Sequence, residues 1–410
     1  MANLCYAWKK FLILLFTYLV FSIAKCEVKR NLSLLLNPDC DEYPECKSSK
    51  VSIFYTEAVG PNDVLHYLWS THGGIPSALI VQTNLSVQLK INWTVLLSDY
   101  PKNAISFTEK PLYSFAMLLT KLLRYDDADD TGNMTDYVCE SMDFSGVNWT
   151  FSDKITNNSD LCSIIFETSE NSTEFLEKGK FIFQLSAFGD DSRGERPPRL
   201  LHNSANNEVG IILSNLKINS TKSRYAVEYM AIYNSEEKEP TLHKKESSNL
   251  DDEFTPGVFS TIKLLTASSN CSNLCASYLL WKPVAYTDKD STVSLSTDVK
   301  IYNVMKTDQI PLESIISAYF ENNKTIQIST WNISFGMTGD KFYKDKKYTS
   351  WYLTIGLGVP PEDSPTIALI LTIAIGFGTP FVCMIAGSIY MGIRKFFKKE
   401  DDLLLSRESM

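Results

Sequence analysis

The chain is 410 residues long, with a formal net charge of −9, 44% hydrophobic, 12% aromatic and 21% charged residues, and four histidines against nine cysteines. This composition is globular and excludes collagen-like, coiled-coil, disordered and polytopic membrane classes. The acidic balance argues against nucleic-acid binding, which needs a basic footprint for phosphates.

Taken in chain order, the first segment reads as a secretory signal peptide at 1–24. Lys9 and Lys10 precede the apolar run 11–24, which closes on the small residues Ser22 and Ala24. That run is short for a membrane span, so cleavage near Ala24 is expected.

Residues 25–365 then read as a lumenal or extracellular domain with eleven Asn-x-Ser/Thr acceptors: Asn31, Asn84, Asn92, Asn133, Asn148, Asn157, Asn171, Asn219, Asn270, Asn323 and Asn332. Such a density behind a signal peptide predicts heavy N-glycosylation. The same region holds Cys40, Cys46, Cys139, Cys162, Cys271 and Cys275. An even count in an oxidising compartment reads as disulfides with 15 open connectivities, and sequential pairing, 40–46, 139–162 and 271–275, is the expectation. Without a CxxC or clustered histidines, a metal site is not expected.

Strand patterns dominate this domain. From 85 to 95 the odd positions Leu85, Val87, Leu89, Ile91, Trp93 and Val95 are apolar and the even ones polar, which predicts a strand or bent pair with one face buried and Asn92 on the open face. The same parity recurs at Trp331, Ile333 and Phe335 around Asn332. Further short strands are expected at 51–55, 181–188, 209–213, 225–233, 293–301 and 326–328. One helix is predicted, at 112–125, from the spacing of Phe115, Leu118, Leu119, Leu122 and Leu123. The polar stretch 234–256 reads as a long surface loop where two β-rich halves would divide. The fold class expected is therefore mainly β, an antiparallel β-sandwich-like lumenal ectodomain with few helices, plus one C-terminal transmembrane helix.

The acidic run Asp126, Asp127, Asp129 and Asp130 with Gly132 invites a calcium loop. With Asp127 in first place, however, Val138 stands twelfth, where an EF-hand needs a bidentate Glu. A solvated turn is the expectation. Catalytic signatures are missing too: His66, His72, His202 and His243 are scattered, with no HExxH, GxSxG or glycine-rich phosphate loop, so neither an enzyme nor a cofactor is expected.

From 364 to 393 no residue is charged, and at about 1.5 Å per residue this exceeds a ~30 Å hydrocarbon core, so 366–393 is expected to span the membrane. Glu362 and Asp363 precede the span, and Arg394, Lys395, Lys398 and Lys399 follow it. The positive-inside rule then leaves the tail, 394–410, in the cytosol. Removing the +2 of the signal peptide and the +1 of the tail leaves −12 on the intervening segment. In the tail, Glu400 four residues before Leu404 and Leu405 fits an acidic dileucine sorting motif, in which a carboxylate meets a basic patch and two leucines fill an apolar pocket of a clathrin adaptor.

Four segments, read together, resemble the glycosylated lysosomal membrane protein family: LHYLWS at 65–70 with INWTVLLS at 91–98, RPPRLLH at 196–202, LDDEFTPGVF at 250–259, and WKPVAY at 281–286. The resemblance implies a non-enzymatic, single-pass type I protein of the lysosomal membrane with its bulk in the lumen. It further implies an accessory subunit for a lysosomal major-facilitator-superfamily transporter of dipeptides, whose lumenal face the glycosylated domain would cap against proteases. The tail departs from the family's vertebrate pattern of a terminal tyrosine-based signal. Tyr390 and Ile393 have that spacing but lie at the membrane boundary, and the dileucine is expected to substitute. Competing readings are a membrane-anchored lumenal hydrolase, which needs convergent carboxylates in a cleft, and a ligand-binding receptor, which needs an apolar pocket.

Overall fold

The computed structural model describes residues 28–49, 51–134, 139–170, 172–234, 242–248, 254–266, 276–320, 326–340, 347–363 and 367–408. The signal peptide lies outside them, as do Asn171, Asn270, Asn323, Cys271 and Cys275. Two compact units are present: Met1–Ser248 with Asp252–Pro361, and Asn249–Asp251 with Glu362–Met410.

The first unit is a sandwich of antiparallel strands. One sheet runs β1 (Asn31–Leu36), β2 (Ile53–Val59), β3 (Val64–Ser70), β4 (Ser77–Thr83), β7 (Tyr113–Asp126), β16 (Ser223–Asn234) and β23 (Ile326–Phe335). Strand β8 (Cys139–Asp143) extends it along the second half of β7, and β21 (Ser296–Ile301) and β22 (Met305–Lys306) lie along β23. The other sheet runs β17 (Leu242–Ser248), β18 (Ser260–Thr266), β19 (Ser277–Trp281), β24 (Tyr348–Leu357), β15 (Asn206–Ser214), β12 (Lys180–Phe188) and β11 (Leu161–Thr168). Beside β11 lie β9 (Trp149–Phe151) and β10 (Thr156–Asn157), and β20 (Val284–Tyr286) bridges β24 and β21, joining the two sheets. Two small hairpins, β5 (Leu89–Ile91) with β6 (Ile105–Phe107) and β13 (Ser192–Arg193) with β14 (Leu201–His202), decorate the sandwich.

Aromatic side chains from both sheets meet in the middle. Trp351 of β24 stands edge-on to Tyr229 (5.8 Å between centroids) and to Trp281 (5.9 Å), while Tyr229 stacks on Trp331 at 5.8 Å. A second apolar layer forms on the outer face of the first sheet, where Leu68, Leu79, Leu118 and Ile232 are covered by α1 (Pro44–Ser48), α2 (Trp93–Leu96) and α3 (Ile315–Phe320). Strands β3 and β4 are thus buried on both faces, which is why LHYLWS shows no alternation of apolar and polar residues.

The same burial corrects the predicted helix at 112–125, which is strand β7 between β4 and β16. Phe115, Met117 and Leu119 face the sandwich core while Ala116 and Leu118 face the outer layer. A register shift opposite Glu228 and Tyr229 then puts Leu122 back in the core. That bulge changes the period-two phase by one residue and imitates helical spacing in the sequence. The strand expected at 85–95 is also shorter: Leu85 is exposed, β5 covers only Leu89–Ile91, and Asn92 then caps α2 by accepting from the Val95 amide at 3.1 Å. Strand β17 occupies part of the expected loop at 234–256, with His243, Lys244 and Lys245 all exposed. Charged side chains blunt such an edge strand.

The second unit contains α4 (Ile367–Glu408), 42 residues with Pro380 inside. Side chains at 367, 368, 370, 371, 374, 377, 381, 382 and 396–408 lie outside the description. Among the described residues no helix is long and apolar enough to cross a membrane. The spanning reading of α4 rests on the full sequence 364–393.

Candidate functional site

The first constellation gathers on Arg224, at the start of β16, where β7 and β23 end on either side. Its guanidinium is fully buried, donating from Nε to Asp127 Oδ2 at 2.5 Å, from Nη1 to both Asp340 oxygens at 3.0 Å, and from Nη2 to Asp130 Oδ1 at 2.9 Å and the Met337 carbonyl at 3.0 Å. The fork of an arginine matches such a ring of acceptors. Asp127 also accepts from the amides of Thr131 (2.9 Å) and Gly132 (2.8 Å), and Asp340 from Thr297 Oγ1 (2.6 Å) and the Met337 amide (3.0 Å). Burial alone would raise both carboxyls. The backbone amides and Arg224 at Asp127, and Arg224 with Thr297 at Asp340, outweigh it and hold both below the usual carboxylate range.

The acidic run is therefore not simply the solvated turn expected from sequence: Asp126 and Asp129 are exposed, but Asp127 is fully buried against Arg224, which in turn holds Asp340 and the Met337 carbonyl in the loop after β23. Gly336 is required here. Its φ is +136°, and a Cβ would fall on the Arg224 guanidinium. Among the described residues no three His, Cys, Asp or Glu side chains are placed to hold a metal.

A cleft of about 510 Å³ opens on the outer face of the first sheet. Its floor is a ladder across adjacent strands: Glu228 of β16 pairs with Lys121 of β7, which pairs with Asp143 of β8. Lys121 Nζ lies 3.0 Å from Glu228 Oε1, which also accepts from Thr120 Oγ1 at 2.7 Å. The segment after β22 supplies the wall, with Gln309, Ile310, Pro311, Leu312 and Glu313, the last accepting from Ser145 Oγ at 3.0 Å. The cleft has the size of a small-ligand site and mixes apolar wall with polar floor.

The histidines are dispersed. His66 is buried between Tyr55 (OH to Nδ1, 2.8 Å) and Thr83 (Oγ1 to Nε2, 2.8 Å), beside Phe107 at 4.9 Å. Thr83 spends its hydroxyl hydrogen on the Asn84 carbonyl (3.0 Å), so the network assigns the proton to Nε2 and leaves Nδ1 accepting from Tyr55. Burial pushes the imidazole down to about 4. His202, also buried, stacks on Phe188 at 3.9 Å with Nε2 3.1 Å from Glu208. The RPPRLLH segment that carries it covers Tyr278, Leu280 and Tyr352 on the outer face of the second sheet. Thr255 ties the LDDEFTPGVF segment to it by donating to the Pro198 carbonyl at 2.5 Å.

Of the glycan acceptors, Asn31, Asn84, Asn92, Asn148, Asn157 and Asn219 are exposed, and Asn133 and Asn332 half-buried. Several of these side chains are already engaged, that of Asn92 as the cap of α2. Asn157 bridges the backbone of Leu34 (Nδ2 to O, 3.0 Å; N to Oδ1, 3.2 Å), and Asn219 Nδ2 donates to Glu140. Cys40 and Cys46 form a disulfide on the turn leading into α1. The expected 139–162 bridge is not formed: Cys139 lies on β8 opposite Tyr125 and Cys162 on β11 opposite Ala187, strands that do not pair. A disulfide needs Cα atoms within about 7 Å. Cys162 is instead a buried thiol pushed up to about 11 by burial. Glu400, Leu404 and Leu405 fall within α4, with side chains outside the description.

The fold defines an antiparallel β-sandwich protein with Asn-x-Ser/Thr acceptors exposed on it. The model of the glycosylated lysosomal membrane protein family matches residues 52–398. Glycosylated lysosomal membrane proteins A and B of Xenopus laevis are 29% and 30% identical to this chain, each over 88% of it and 89% of the relative. The protein of that name from Homo sapiens is 25% identical over 83% of each. The chain belongs to this family of lysosomal membrane glycoproteins, whose name carries no enzymatic activity.

Proposed function

We propose that the chain is a single-pass type I protein of the lysosomal membrane. Its glycosylated sandwich lies in the lumen as the non-enzymatic accessory subunit of a major-facilitator-superfamily dipeptide transporter, which it stabilises and shields from lysosomal proteases. The observation that carries this reading is the surface of α4. Ile373, Ile375, Met384, Ile385, Ile389, Met391 and Ile393 are all exposed there despite being apolar. Such a surface calls for lipid or another apolar helix. A Cβ added at Gly378 or Gly387 meets nothing within 4 Å, which leaves room for a neighbouring span to approach. On this reading 366–393 crosses the bilayer and the tail presents Glu400, Leu404 and Leu405 to a clathrin adaptor.

Replacing Leu404 and Leu405 with Ala should move the protein to the cell surface, measured by surface biotinylation and lysosomal immunofluorescence. In the same cells a multi-pass transporter should co-purify with the wild-type chain in mild detergent. Unchanged lysosomal residence of the variant in cells depleted of that partner would remove the tail from the account, and absence of any multi-pass partner would remove the accessory role.

A further inference from the structure

The register of the first sheet puts a glycan acceptor at the end of the cleft floor. Asn332 of β23 lies directly opposite Glu228, Glu228 opposite Lys121, and Lys121 opposite Asp143. Residues directly opposite in antiparallel strands project to the same face, so these four form one row on the outer face. Strand parity agrees: Thr330, two residues before Asn332, also lines the cleft, whereas Trp331 and Ile333 are buried in the sandwich core. Asn332 differs in setting from Asn84 and Asn92, which sit exposed beyond strand ends. It is half-buried in mid-sheet, between the β16 strand and the Tyr302 amide that donates to its carbonyl at 3.0 Å. A sugar attached there must lie along the outer face of the sheet, and the cleft adjoins it.

The cleft is chemically suited to such a guest. A sugar ring offers hydroxyl donors around its edge and C–H groups on its faces. Asp143, Glu313 and Gln309 supply acceptors, and Pro311 with the 59% exposed Leu312 supplies an apolar surface. Lys121 neutralises Glu228, so the floor carries no unpaired charge at its centre.

We propose that the N-linked glycan of Asn332 turns back along this row and seats its first sugars in the cleft. The inference rests on the lumenal placement of the sandwich, and occupancy at Asn84 and Asn92 reports on that placement separately.

The test uses the full-length glycosylated chain in mild detergent, treated under native conditions with peptide-N-glycosidase and followed site by site with glycopeptide mass spectrometry. A seated glycan must lift off before cleavage, so Asn332 should be released about tenfold more slowly than Asn84 and Asn92, a factor equivalent to about 1.4 kcal/mol. Replacing the exposed pair Asp143→Ala and Leu312→Ala should bring its release rate to theirs. The proposal is overturned by an unoccupied Asn332 beside occupied Asn84 and Asn92, by equal release at all three sites in the wild type, or by slow release that the double variant leaves unchanged. Absence of glycan at all three sites would overturn the lumenal placement as well.

Discussion

Replacing Arg224 with leucine should cost about 3–5 kcal/mol of folding stability at neutral pH, the range seen when one partner of a buried ion pair is removed. Leucine fills much of the space but leaves Asp127 and Asp340, both nearly inaccessible to solvent, without their cation. Asp130 and the Met337 carbonyl lose a donor as well. Arg224→Lys should fall between the two, because an ammonium cannot span three carboxylates. The pH dependence separates this account from simple loss of packing. In the wild type Asp127 and Asp340 are held below the usual carboxylate range. Their contribution is complete above their unfolded values of about 3.9 and is lost only as pH falls through the depressed folded values. The clasp therefore stays charged at about pH 5. In the leucine variant the stranded carboxyls take up protons more readily, so its deficit should shrink between pH 7 and pH 5. Thermal or urea unfolding of the full chain in detergent checks both points, and a deficit below about 1 kcal/mol at pH 7 would contradict them.

His66→Gln should remove an acid-linked loss of stability. Folded His66 holds its imidazole at about 4 against an ordinary 6.5. Above 6.5 the residue is neutral in both states and contributes nothing. As pH falls from 6.5 towards 4 the unfolded chain binds a proton that the folded chain does not, and stability declines. By pH 5 the decline amounts to about 2 kcal/mol. Glutamine keeps one donor and one acceptor for Thr83 and Tyr55 but has no proton to take up. The variant should start lower at pH 7, from imperfect packing, and lose about 2 kcal/mol less than the wild type on acidification to pH 5. Parallel pH profiles for the two proteins would show that His66 is not the titrating group.

The mainly β architecture was legible because most strands are short and end in polar turns. Trp331, Ile333 and Phe335 held their predicted face, and Asn332 its opposite one. Strand β7 was not legible: with both faces buried it has no polar alternation, and its bulge adds one residue to the apolar phase. The Arg224 clasp was half visible. The acidic run stands out in the sequence, but Arg224 and Asp340 lie far along the chain, and only the adjacency of β7, β16 and β23 brings them together. The cleft was invisible for the same reason, since Asp143, Lys121, Glu228 and Asn332 become neighbours through register alone. The disulfide within 40–46 needed no fold to be guessed, whereas pairing 139 with 162 presumed a strand adjacency that the sandwich does not contain.

The accessory role is tested most directly by the half-life of the partner transporter in cells lacking this chain, measured by pulse-chase with and without inhibitors of lysosomal proteases. Loss of the chain should shorten the half-life several-fold, and protease inhibition should restore it. A transporter half-life that is unchanged by deleting the chain would contradict the account.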